Sequence, residues 1–515
     1  MNHIINRNLK MLLCWVTVVL LCFTALVGCA RDKDESPDSD TAQSDTVPDV
    51  TQTDSETTVF DADTLGEHNF NGARYNILAR ETSSYEWDSN STLGTSTVNN
   101  AIYMRNESVE DRFNVNIAVE VADGAWKNTA ADCPWYSKYE TSTMSGWNSY
   151  SMITGHFAMT QRAAVAGLCY DLGTLDAIDM RKEWWSDQFY EACNLDGRLY
   201  VAVGDIGYSL YEGMEVVFFN ETMAENLLKD SNGDPIDLYQ LVRDEEWTWE
   251  NMKKYVLMVN DTDFTDNNDK EFGLLAGAMA LRLTSVAFEV SFAESDNSRG
   301  YTVYSFPESA IARDVKVIDD VDLFFENEAA NSVWLAVGDA NGNKAFSEGR
   351  GLFYMQMLGQ LPKFGEAMAE GQSYGILPYP MYDGDQFEYH TGTYDGISGI
   401  SVPKNIQDPK LSGLVTEALC MYGYQEVRPV YLDTVLNGRY LAGGDMKEMM
   451  DLIRESYTLP FMYAYGPTMG SPNVYALTDS IYTKNSVRYG TVYANNFTAM
   501  TTNIGNFYKS YGVMT

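Results

Sequence analysis

Basic residues are scarce in this sequence, which contains 35 lysines and arginines against 73 aspartates and glutamates. A nucleic-acid-binding surface needs clustered Lys and Arg that release counterions from phosphates, so we expect no nucleic acid as a partner. Histidine is rarer still, and His3, His68, His156 and His390 are the full set. The formal net charge of −38 at pH 7 favours solubility and by itself points to no specific partner.

Signatures of zinc proteases and of P-loop nucleotide-binding enzymes are missing, since no HExxH or P-loop pattern occurs. The sequence therefore predicts neither an enzyme nor a bound cofactor. A glycoside hydrolase remains the alternative, because it needs only two suitably spaced carboxylates and acidic residues are abundant here.

Patterns for metal binding are incomplete. The acidic segments Lys229–Asp237 and Asp261–Glu271 lack the spacing to a closing bidentate Glu that a calcium loop requires, so solvated turns are the better interpretation. The cysteines beyond the N-terminal region are too widely spaced for a CxxC zinc site; they are Cys133, Cys169, Cys193 and Cys420. We expect no metal. The sequence is compatible both with one or two disulfides and with buried free thiols.

The one long apolar run lies near the N-terminus, from Met11 to Ala25, and follows the basic residues Arg7 and Lys10. It is shorter than the roughly 20 residues that span a bilayer and fits a signal peptide. The next residues, Leu26-Val27-Gly28-Cys29, resemble the bacterial lipobox. This resemblance implies that residues 1–28 are a cleaved signal peptide and that Cys29 is the lipidation site; an uncleaved signal anchor is the alternative.

Residues 29–65 are rich in Asp, Ser and Thr and nearly free of aromatic side chains. Such a segment buries too little apolar surface to offset its ordering entropy, which predicts a disordered acidic linker. The chain after it is longer than one hydrophobic core usually serves, so we expect two lobes.

Periodicity identifies the first elements of the globular part. Ala73–Arg80 has the pattern of a strand, and the residues Val98, Ile102, Val109 and Phe113 mark one face of a helix. Alternation from Val115 onward predicts a second strand. A strand, a helix and a strand in this order form a βαβ unit, which implies a parallel sheet.

Further strands are predicted at 149–154, 198–203, 215–220, 351–357, 374–380 and 397–403. Asp408 and Pro409 are typical of a helix start, and Asp445 with Glu448 resembles a capping box. Thr248 similarly resembles a helix cap, which favours packing roles for Trp247 and Trp249.

The run from Ala345 to Met355, "AFSEGRGLFYM", is followed by "YGILPYP" and then by "ISGISVPKNIQDPKLSGLVTEAL". This order resembles the second half of the extracellular solute-binding proteins of ABC importers, in particular their carbohydrate-binding branch. The upstream segments "RLYVAVGDI", "VVFFNETMAENL" and "EWTWENMKKYV" resemble the crossover and a helix of the same family.

The resemblance implies an α/β, two-lobed type II periplasmic-binding-protein fold with discontinuous lobes, a hinge and an interlobe cleft. Lobe 1 would comprise residues 66–205, completed by about 375–425, and lobe 2 residues 206–374, completed by about 426–515. The implied function is capture of a small solute, a sugar or oligosaccharide, for the permease subunits of an ABC transporter. The protein would be a monomer, held by its lipid at the extracellular face of the cell membrane. An adhesive surface lipoprotein is a further alternative, and peptides and polyols remain possible ligands.

Ligands of open α/β lobes bind beyond the carboxyl ends of strands, so loops that follow strands are the places to look for a site. Sugars need aromatic faces for stacking and carboxylates, amides and hydroxyls for hydrogen bonds. On this basis we predict nine ligand-binding residues: Glu81, Tyr85, Trp87, His156, Asp205, Tyr211, Gln356, Tyr394 and Asp395. Asp205 and Tyr211 are expected near the hinge, and Trp87 and Gln356 on facing lobes. The pair Trp184 and Trp185 is a secondary candidate for stacking, with packing at a lobe edge as the alternative.

Overall fold

The computed structural model describes residues 63–513 except 88–95, 128, 148, 261–265, 299–300, 330, 442 and 479–486. The side chains of residues 327 and 328 are also outside the description. The predicted signal peptide, Cys29 and most of the acidic linker therefore lie outside the described residues. Residues Phe60–Thr515 belong to one compact unit, and every element below is part of it.

Two sheets organise the described chain. The strands are β1 (Ala73–Arg80), β2 (Val115–Ala122), β3 (Met152–His156), β4 (Glu215–Asn220), β5 (Phe272–Ala276), β6 (Glu294–Asp296), β7 (Val303–Ser305), β8 (Val333–Leu335), β9 (Gly351–Met357), β10 (Tyr374–Leu377) and β11 (Ser398–Ser401). The first sheet has the order β11-β3-β1-β2 and the second has the order β10-β4-β9-β5-β8, while β6 and β7 pair as a hairpin. We call each sheet with its helices a lobe.

The helices up to residue 323 are α1 (Thr97–Phe113), α2 (Pro134–Met144), α3 (Phe157–Val165), α4 (Asp187–Cys193), α5 (Ser209–Glu212), α6 (Glu221–Leu227), α7 (Leu238–Arg243), α8 (Trp249–Val256), α9 (Ala278–Ala287) and α10 (Ala312–Leu323). Those after it are α11 (Asp339–Ser347), α12 (Leu361–Phe364), α13 (Pro409–Tyr422), α14 (Gly444–Glu455), α15 (Phe461–Tyr465), α16 (Val474–Thr478) and α17 (Tyr489–Ser510). Short 3-10 and π-helical turns connect several of them, including Glu81–Glu86 and Val430–Tyr440.

The first lobe confirms the predicted βαβ unit. β1 and β2 are parallel, with Ala73 opposite Val115, and α1 joins them. Ser96 caps α1, since its side chain accepts a hydrogen bond from the Asn99 backbone N–H at 3.0 Å. α1 ends at Asn114, which adopts a left-handed conformation with φ of 49°. β1 and β3 are also parallel, so their carboxyl ends, at Arg80 and His156, lie at the same edge of the sheet.

The second lobe contains the parallel strands β5, β8 and β9, and β4 runs antiparallel to β9 with Glu215 opposite Met357. The first residue of β4 thus lies at the same edge as the carboxyl end of β9. The core beside this sheet is aromatic, as in the edge-to-face contact of Phe218 with Phe364 at 4.9 Å between ring centroids. Trp247 and Trp249 are buried in this lobe, and Thr248 caps α8, as predicted.

Several segments of the chain pass between the two sheets. The segment before β4 and the segment before β11 pair at Met214 and Thr393, and the Glu215 N–H donates to the Gly392 carbonyl at 3.0 Å. Thr391 in turn pairs with Tyr457. β11 then returns to the first sheet, where Ser398 lies opposite His156. These paired crossings form the hinge of the two-lobed α/β fold that the sequence predicted.

A buried network of hydrogen bonds anchors the first lobe to this hinge. The Glu86 carboxylate accepts hydrogen bonds from the Ser209 backbone N–H at 2.7 Å and from the Ser398 hydroxyl. Arg105, 1% exposed, donates to the Glu86 carbonyl at 3.1 Å and to the Ile206 carbonyl. Both charged groups are satisfied, so they stabilise the crossing segments as structural residues.

The strand predictions at 215–220 and 351–357 are confirmed residue for residue, and those at 149–154, 374–380 and 397–403 are confirmed with shifted ends. The prediction of a strand at 198–203 is wrong. That segment makes only isolated bridges, at Arg198 and at Ala202 opposite Ile400. Ala202 meets the short β11 at one position, so no ladder extends along it.

The helix start at Asp408 is confirmed, because its side chain accepts a hydrogen bond from the Leu411 N–H at 2.9 Å. The capping box of Asp445 and Glu448 is wrong. α14 begins after Gly443, whose φ of 91° suits glycine, and no side chain caps it. Both carboxylates bind Arg243 instead.

The four cysteines Cys133, Cys169, Cys193 and Cys420 are buried free thiols.

Among the described helices, none combines the length and the apolar character needed to cross a membrane.

Candidate ligand-binding site

The carboxyl ends of β1 and β3 bring Arg80 and His156 together. Arg80 is 6% exposed and its Nε has no hydrogen-bond partner among the described residues. His156 is 3% exposed, and neither of its ring nitrogens has a partner there. Burial lowers the pKa of His156 to about 3, helped by the charges of Arg80 and Arg162. The imidazole is therefore neutral at physiological pH and can both donate and accept a hydrogen bond.

Two aromatic rings flank His156. The Tyr394 ring packs against it edge to face, with 6.1 Å between centroids, and the Trp126 ring lies 5.8 Å away. Trp126 follows β2 and is 38% exposed, while the Arg162 guanidinium lies 4.8 Å from its ring centroid. The first lobe thus offers a partly exposed indole beside unsatisfied polar atoms.

The second lobe contributes a group of carboxyl and amide side chains. Glu215 is 1% exposed, and its Oε2 has no hydrogen-bond partner in the described part of the chain. Burial raises the pKa of Glu215 to about 8, and the Asp339 carboxylate adds to this rise. Asp339 itself accepts hydrogen bonds from Gln356 Nε2 at 3.1 Å and Gln360 Nε2 at 3.2 Å. Gln356 Nε2 also donates to the Tyr354 hydroxyl at 3.0 Å.

Tyr394 connects the two groups electrostatically. Its pKa is raised to about 12 by burial and by the carboxylates of Asp395, Asp339 and Glu215, while Arg80 opposes the rise. The Tyr394 side chain therefore experiences charges from the end of β1 and from the second lobe together. Tyr394 thus contacts the His156 ring directly and lies within electrostatic range of Arg80, Glu215 and Asp339.

A direct hydrogen bond also joins the two sides. The Tyr85 hydroxyl, in the turn after β1, donates to Glu212 Oε2 at 2.6 Å, and Glu212 precedes β4. Burial raises the pKa of Glu212 to about 7, against the opposing effect of the Tyr85 hydroxyl. The Tyr85 ring contacts the Tyr208 ring at 5.4 Å between centroids. Tyr85 thus lies where the two lobes meet, and its role as a ligand-binding residue stays a prediction.

Asp395 lies beside this group and has its own partner. Asp395 Oδ2 accepts a hydrogen bond from the Tyr475 hydroxyl at 3.0 Å. Burial raises the pKa of Asp395, and the charges of Arg282 and Arg80 oppose that rise.

Asp205 and Tyr211 lie at the hinge but bind each other. Asp205 Oδ1 accepts from the Tyr211 hydroxyl at 2.7 Å, and Asp205 Oδ2 from Arg428 Nη1 at 3.3 Å. Burial raises the pKa of Asp205 to about 6, and Arg428 opposes the rise. They line a separate crevice of about 200 Å³ together with Trp184 and Trp185. The structure does not bring this pair together with Arg80 and Glu215.

Trp87 and Glu81 also stand apart from the group around Tyr394. Trp87 is 1% exposed and lines a void of about 10 Å³ with Val203 and Ile400. Glu81 begins the turn after β1 with an exposed side chain. Gln356 lies in the second-lobe group, whereas Trp87 lies in the core of the first lobe. That Trp87 and Gln356 lie opposite each other across a bound ligand stays a prediction.

Trp184 and Trp185 have a structural explanation. Their indole N–H groups donate to the two oxygens of the Glu417 carboxyl, at 2.8 and 2.9 Å. Both rings are buried, at 2% and 4% exposure, so they pack between α13 and the segment before α4. Burial raises the pKa of Glu417 to about 7, and the two indoles oppose the rise.

Sequence reasoning missed several residues of the site, namely Arg80, Trp126, Glu212, Glu215, Asp339 and Tyr475. The rule that sites follow strands would have found Arg80, the last residue of β1, and Trp126, which follows β2. Glu215 opens an antiparallel strand, so its position at the edge becomes apparent only from its pairing with Met357.

No cluster of three or more His, Cys, Asp or Glu side chains suited to a metal ion occurs within the described ranges. At 229–237, Asp230 Oδ1 accepts hydrogen bonds from the N–H groups of Asn232 and Asp234, the geometry of a turn.

Larger cavities, of about 810 and 570 Å³, lie on other surfaces, the former beside Arg243 and Phe387.

No family model matches this sequence, and no curated protein matches it either. The fold, however, is that of the solute-binding proteins of ABC transporters. One similar solved structure is the galacto-N-biose-/lacto-N-biose I-binding protein of the ABC transporter from Bifidobacterium longum in complex with lacto-N-biose. Its TM-score is 0.54 at 12% identity, over 86% of this chain and 99% of that chain.

Two further solved structures give similar values. A cyclo/maltodextrin-binding protein complexed with maltotetraose has a TM-score of 0.52 at 13% identity, over 84% of this chain and 97% of that chain. UgpB from Mycobacterium tuberculosis in complex with glycerophosphocholine has a TM-score of 0.51 at 12% identity, over 86% of this chain and 99% of that chain. These likenesses define the architecture, in agreement with the resemblance read from the sequence.

Proposed function

We propose that this protein is a substrate-binding protein that captures a small solute, a sugar or oligosaccharide, and delivers it to the permease subunits of an ABC transporter. The observation that carries the proposal is the set of buried, unpartnered polar atoms where the lobes meet. Arg80 Nε, both nitrogens of His156 and Glu215 Oε2 each lack a partner among the described residues. Unsatisfied buried polar groups are costly, and a ligand rich in hydroxyls would satisfy them.

The chemistry of the group supports a neutral, hydroxyl-rich ligand. A neutral imidazole, a carboxyl whose pKa is near 8 and a fixed amide at Gln356 can each exchange hydrogen bonds with hydroxyls. Trp126 and Tyr394 supply aromatic surface for an apolar ring face. Contact with both lobes at once would favour the closed form of a hinged protein.

The solved structures of similar fold bear on the ligand class. Those with the same architecture contain lacto-N-biose, maltotetraose and glycerophosphocholine, and all three of these compounds carry several hydroxyls or phosphodiester oxygens. We propose that the ligand is a carbohydrate. Binding of a glycerophosphodiester instead of a sugar would change the proposed ligand class. We further propose that the protein is a monomer without enzymatic activity.

The cellular setting is proposed from the sequence. The lipobox-like residues before Cys29 and the acidic segment after it support a lipid anchor and a linker at the extracellular face of the membrane. Two acyl chains hold a protein stably where one does not. We also propose the lobe boundaries that the sequence predicts. Lobe 1 comprises 66–205 and about 375–425, and lobe 2 comprises 206–374 and about 426–515.

A thermal-shift screen with maltotetraose, lacto-N-biose and glycerophosphocholine tests the proposal. A ligand at 100 times its Kd should add about 2.7 kcal/mol to the free energy of unfolding. Arg80→Met keeps the aliphatic stem but removes the donors, so it should abolish the shift. Arg74→Met, at an exposed position of the same strand, should leave the shift unchanged.

Two results would contradict the assignment. Absence of a shift with every carbohydrate, together with a shift for a peptide pool, would remove the sugar class. An equal shift in wild type and Arg80→Met would place the binding site elsewhere. Chromatography of the incubated oligosaccharides decides between binding and hydrolysis, because a hydrolase would release shorter products.

A further inference from the structure

The chain after the hinge forms a second connection between the lobes. We use the name C-terminal segment for residues 461–478, which include α15 and α16. The Tyr465 hydroxyl donates to the Cys193 carbonyl of the first lobe at 2.9 Å. Two residues earlier, the Tyr463 hydroxyl donates to the Arg282 carbonyl of the second lobe at 2.8 Å. The C-terminal segment therefore contacts both lobes outside the paired crossings of the hinge.

Tyr475 in this segment makes two contacts that meet at the candidate site. Its hydroxyl donates to Asp395 Oδ2 at 3.0 Å. Its ring packs against the Arg282 guanidinium, with 4.9 Å between Arg282 Cζ and the centroid of the Tyr475 ring. Asp395 belongs to the crossing that leads into β11 of the first sheet. Arg282 is on α9, which begins directly after β5 of the second sheet. Tyr475 thus lies between a carboxylate of the hinge crossing and a guanidinium of the second lobe.

The position of Asp395 affects the site through its neighbour. Tyr394 precedes it and packs against His156, with its backbone N–H bonded to the Gly213 carbonyl at 2.8 Å. Because the Asp395 side chain is held by Tyr475, the backbone that presents Tyr394 is fixed from both sides. A movement that separates Asp395 from Arg282 beyond the reach of the Tyr475 side chain has to break either the hydrogen bond or the contact with the guanidinium.

We infer that Tyr475 is a positioning residue for the interlobe site and that the C-terminal segment is a latch that holds the two lobes in the arrangement of this structure. This inference rests on the proposed function, since it concerns the site through which that function acts. Tyr475 touches no ligand in this scheme; it acts through Asp395 and Arg282. The latch differs from the hinge because its hydrogen bonds are donated by side chains, each of which a substitution can remove separately.

Hydrogen–deuterium exchange of the full chain without ligand tests the latch. Tyr475→Phe removes the donor to Asp395 but keeps the ring beneath Arg282. It should speed exchange in peptides covering 391–400 by about tenfold, the size expected for losing a hydrogen bond to a charged group. The matched control is Tyr463→Phe, which keeps the ring but removes from the same segment the hydroxyl that donates to the Arg282 carbonyl of the second lobe. Its effect should be confined to peptides of α9 and leave 391–400 unchanged.

A double substitution separates positioning from general loosening. If Asp395 is the group through which Tyr475 acts, Asp395→Asn added to Tyr475→Phe should give no further increase in exchange at 391–400. An unchanged rate at 391–400 in Tyr475→Phe, or fully additive effects in the double variant, would overturn the latch. The ligand screen described above is independent of this result, because exchange is measured on the free protein.

Discussion

The Tyr85 hydroxyl and the Glu212 carboxylate form a 2.6 Å hydrogen bond that links the turn after β1 with the segment entering β4. This bond joins the two lobes on the side of the candidate site, and Tyr85 keeps 36% of its surface exposed. Glu212 is the acceptor and has a pKa of about 7, so its charge changes close to physiological pH. The strength of the link therefore depends on protonation of a single carboxyl group.

Tyr85→Phe should weaken the contact between the two lobes and raise the pKa of Glu212 further. The hydroxyl favours the ionised carboxylate, so its loss favours the protonated form. We expect affinity for the ligand to fall by about 1 kcal/mol, or roughly fivefold, at neutral pH. Calorimetric titration measures the affinity, and carboxyl carbon NMR measures the pKa. The control Tyr150→Phe loses a hydroxyl that binds Glu120 at 2.8 Å, away from the site, and should change neither quantity.

Glu215→Gln should make the protein more stable at alkaline pH. The pKa of Glu215 is about 8 in the fold against 4.5 for its ordinary value, so the folded chain keeps a proton that the unfolded chain releases. The free energy of unfolding of the wild type therefore falls as pH rises through this window, by at most about 1.4 kcal/mol per pH unit. Denaturant unfolding at several pH values should show the two proteins diverging above pH 4.5 and running parallel above pH 8. The exposed Glu388→Gln should show no such divergence, and a flat difference for Glu215→Gln would contradict the burial of this carboxyl.

The fold was predictable where local patterns suffice, and the site only in part. The alternation at β2, the apolar face of α1 and the caps at Ser96 and Asp408 all follow from residues close in sequence. Glu215 and Asp339 belong to strands and helices whose neighbours are distant in sequence, so their proximity could not be deduced. Trp87 follows β1 in the sequence, which predicts a place in the cleft, yet the turn at 81–86 directs its ring into the core.

Trp126→Ala should weaken ligand binding without a comparable loss of stability. The indole is 38% exposed beside His156, and stacking on a sugar face is worth about 1 to 3 kcal/mol, or roughly ten- to hundredfold in affinity. Trp147→Ala, at an 81% exposed indole of the same lobe, serves as the control and should leave affinity unchanged.

Trp87→Ala should behave in the opposite way, because this ring is 1% exposed. We expect the free energy of unfolding to drop by about 3 to 5 kcal/mol, as for other buried aromatic residues. Chemical denaturation together with titration of the sugar identified in the screen distinguishes the two tryptophans. A large affinity loss with unchanged stability in Trp87→Ala would restore it to the ligand site.

Trp185→Phe should destabilise the first lobe and leave binding intact. The substitution removes the donor to one oxygen of the buried Glu417 carboxyl, at a cost of about 1 to 3 kcal/mol. The melting temperature should fall, while the ligand Kd stays unchanged. A loss of affinity larger than the loss of stability would show that this pair contacts ligand after all.

Cys29→Ser should abolish lipid attachment and release the protein from the membrane, with ligand affinity preserved. The acidic segment after Cys29 separates the anchor from the lobes, so binding does not depend on the lipid. Growth with a labelled fatty acid, followed by electrophoresis, reads out the modification. Cys14→Ser, within the apolar run, is the control and should keep the label; equal labelling of wild type and Cys29→Ser would exclude Cys29.

The end of α17 returns to the first lobe, where the Tyr511 hydroxyl donates to Gln161 Oε1 at 3.1 Å across 350 residues of sequence. The Tyr511 carbonyl is also bound by Arg198, at 2.6 Å. Ribosomes produce Gln161 and Arg198 long before their partner exists, and contacts so distant in sequence slow folding. The order of synthesis thus leaves these polar groups without their final partner until Tyr511 has been made, and a chain that terminates early within α17 lacks this contact permanently.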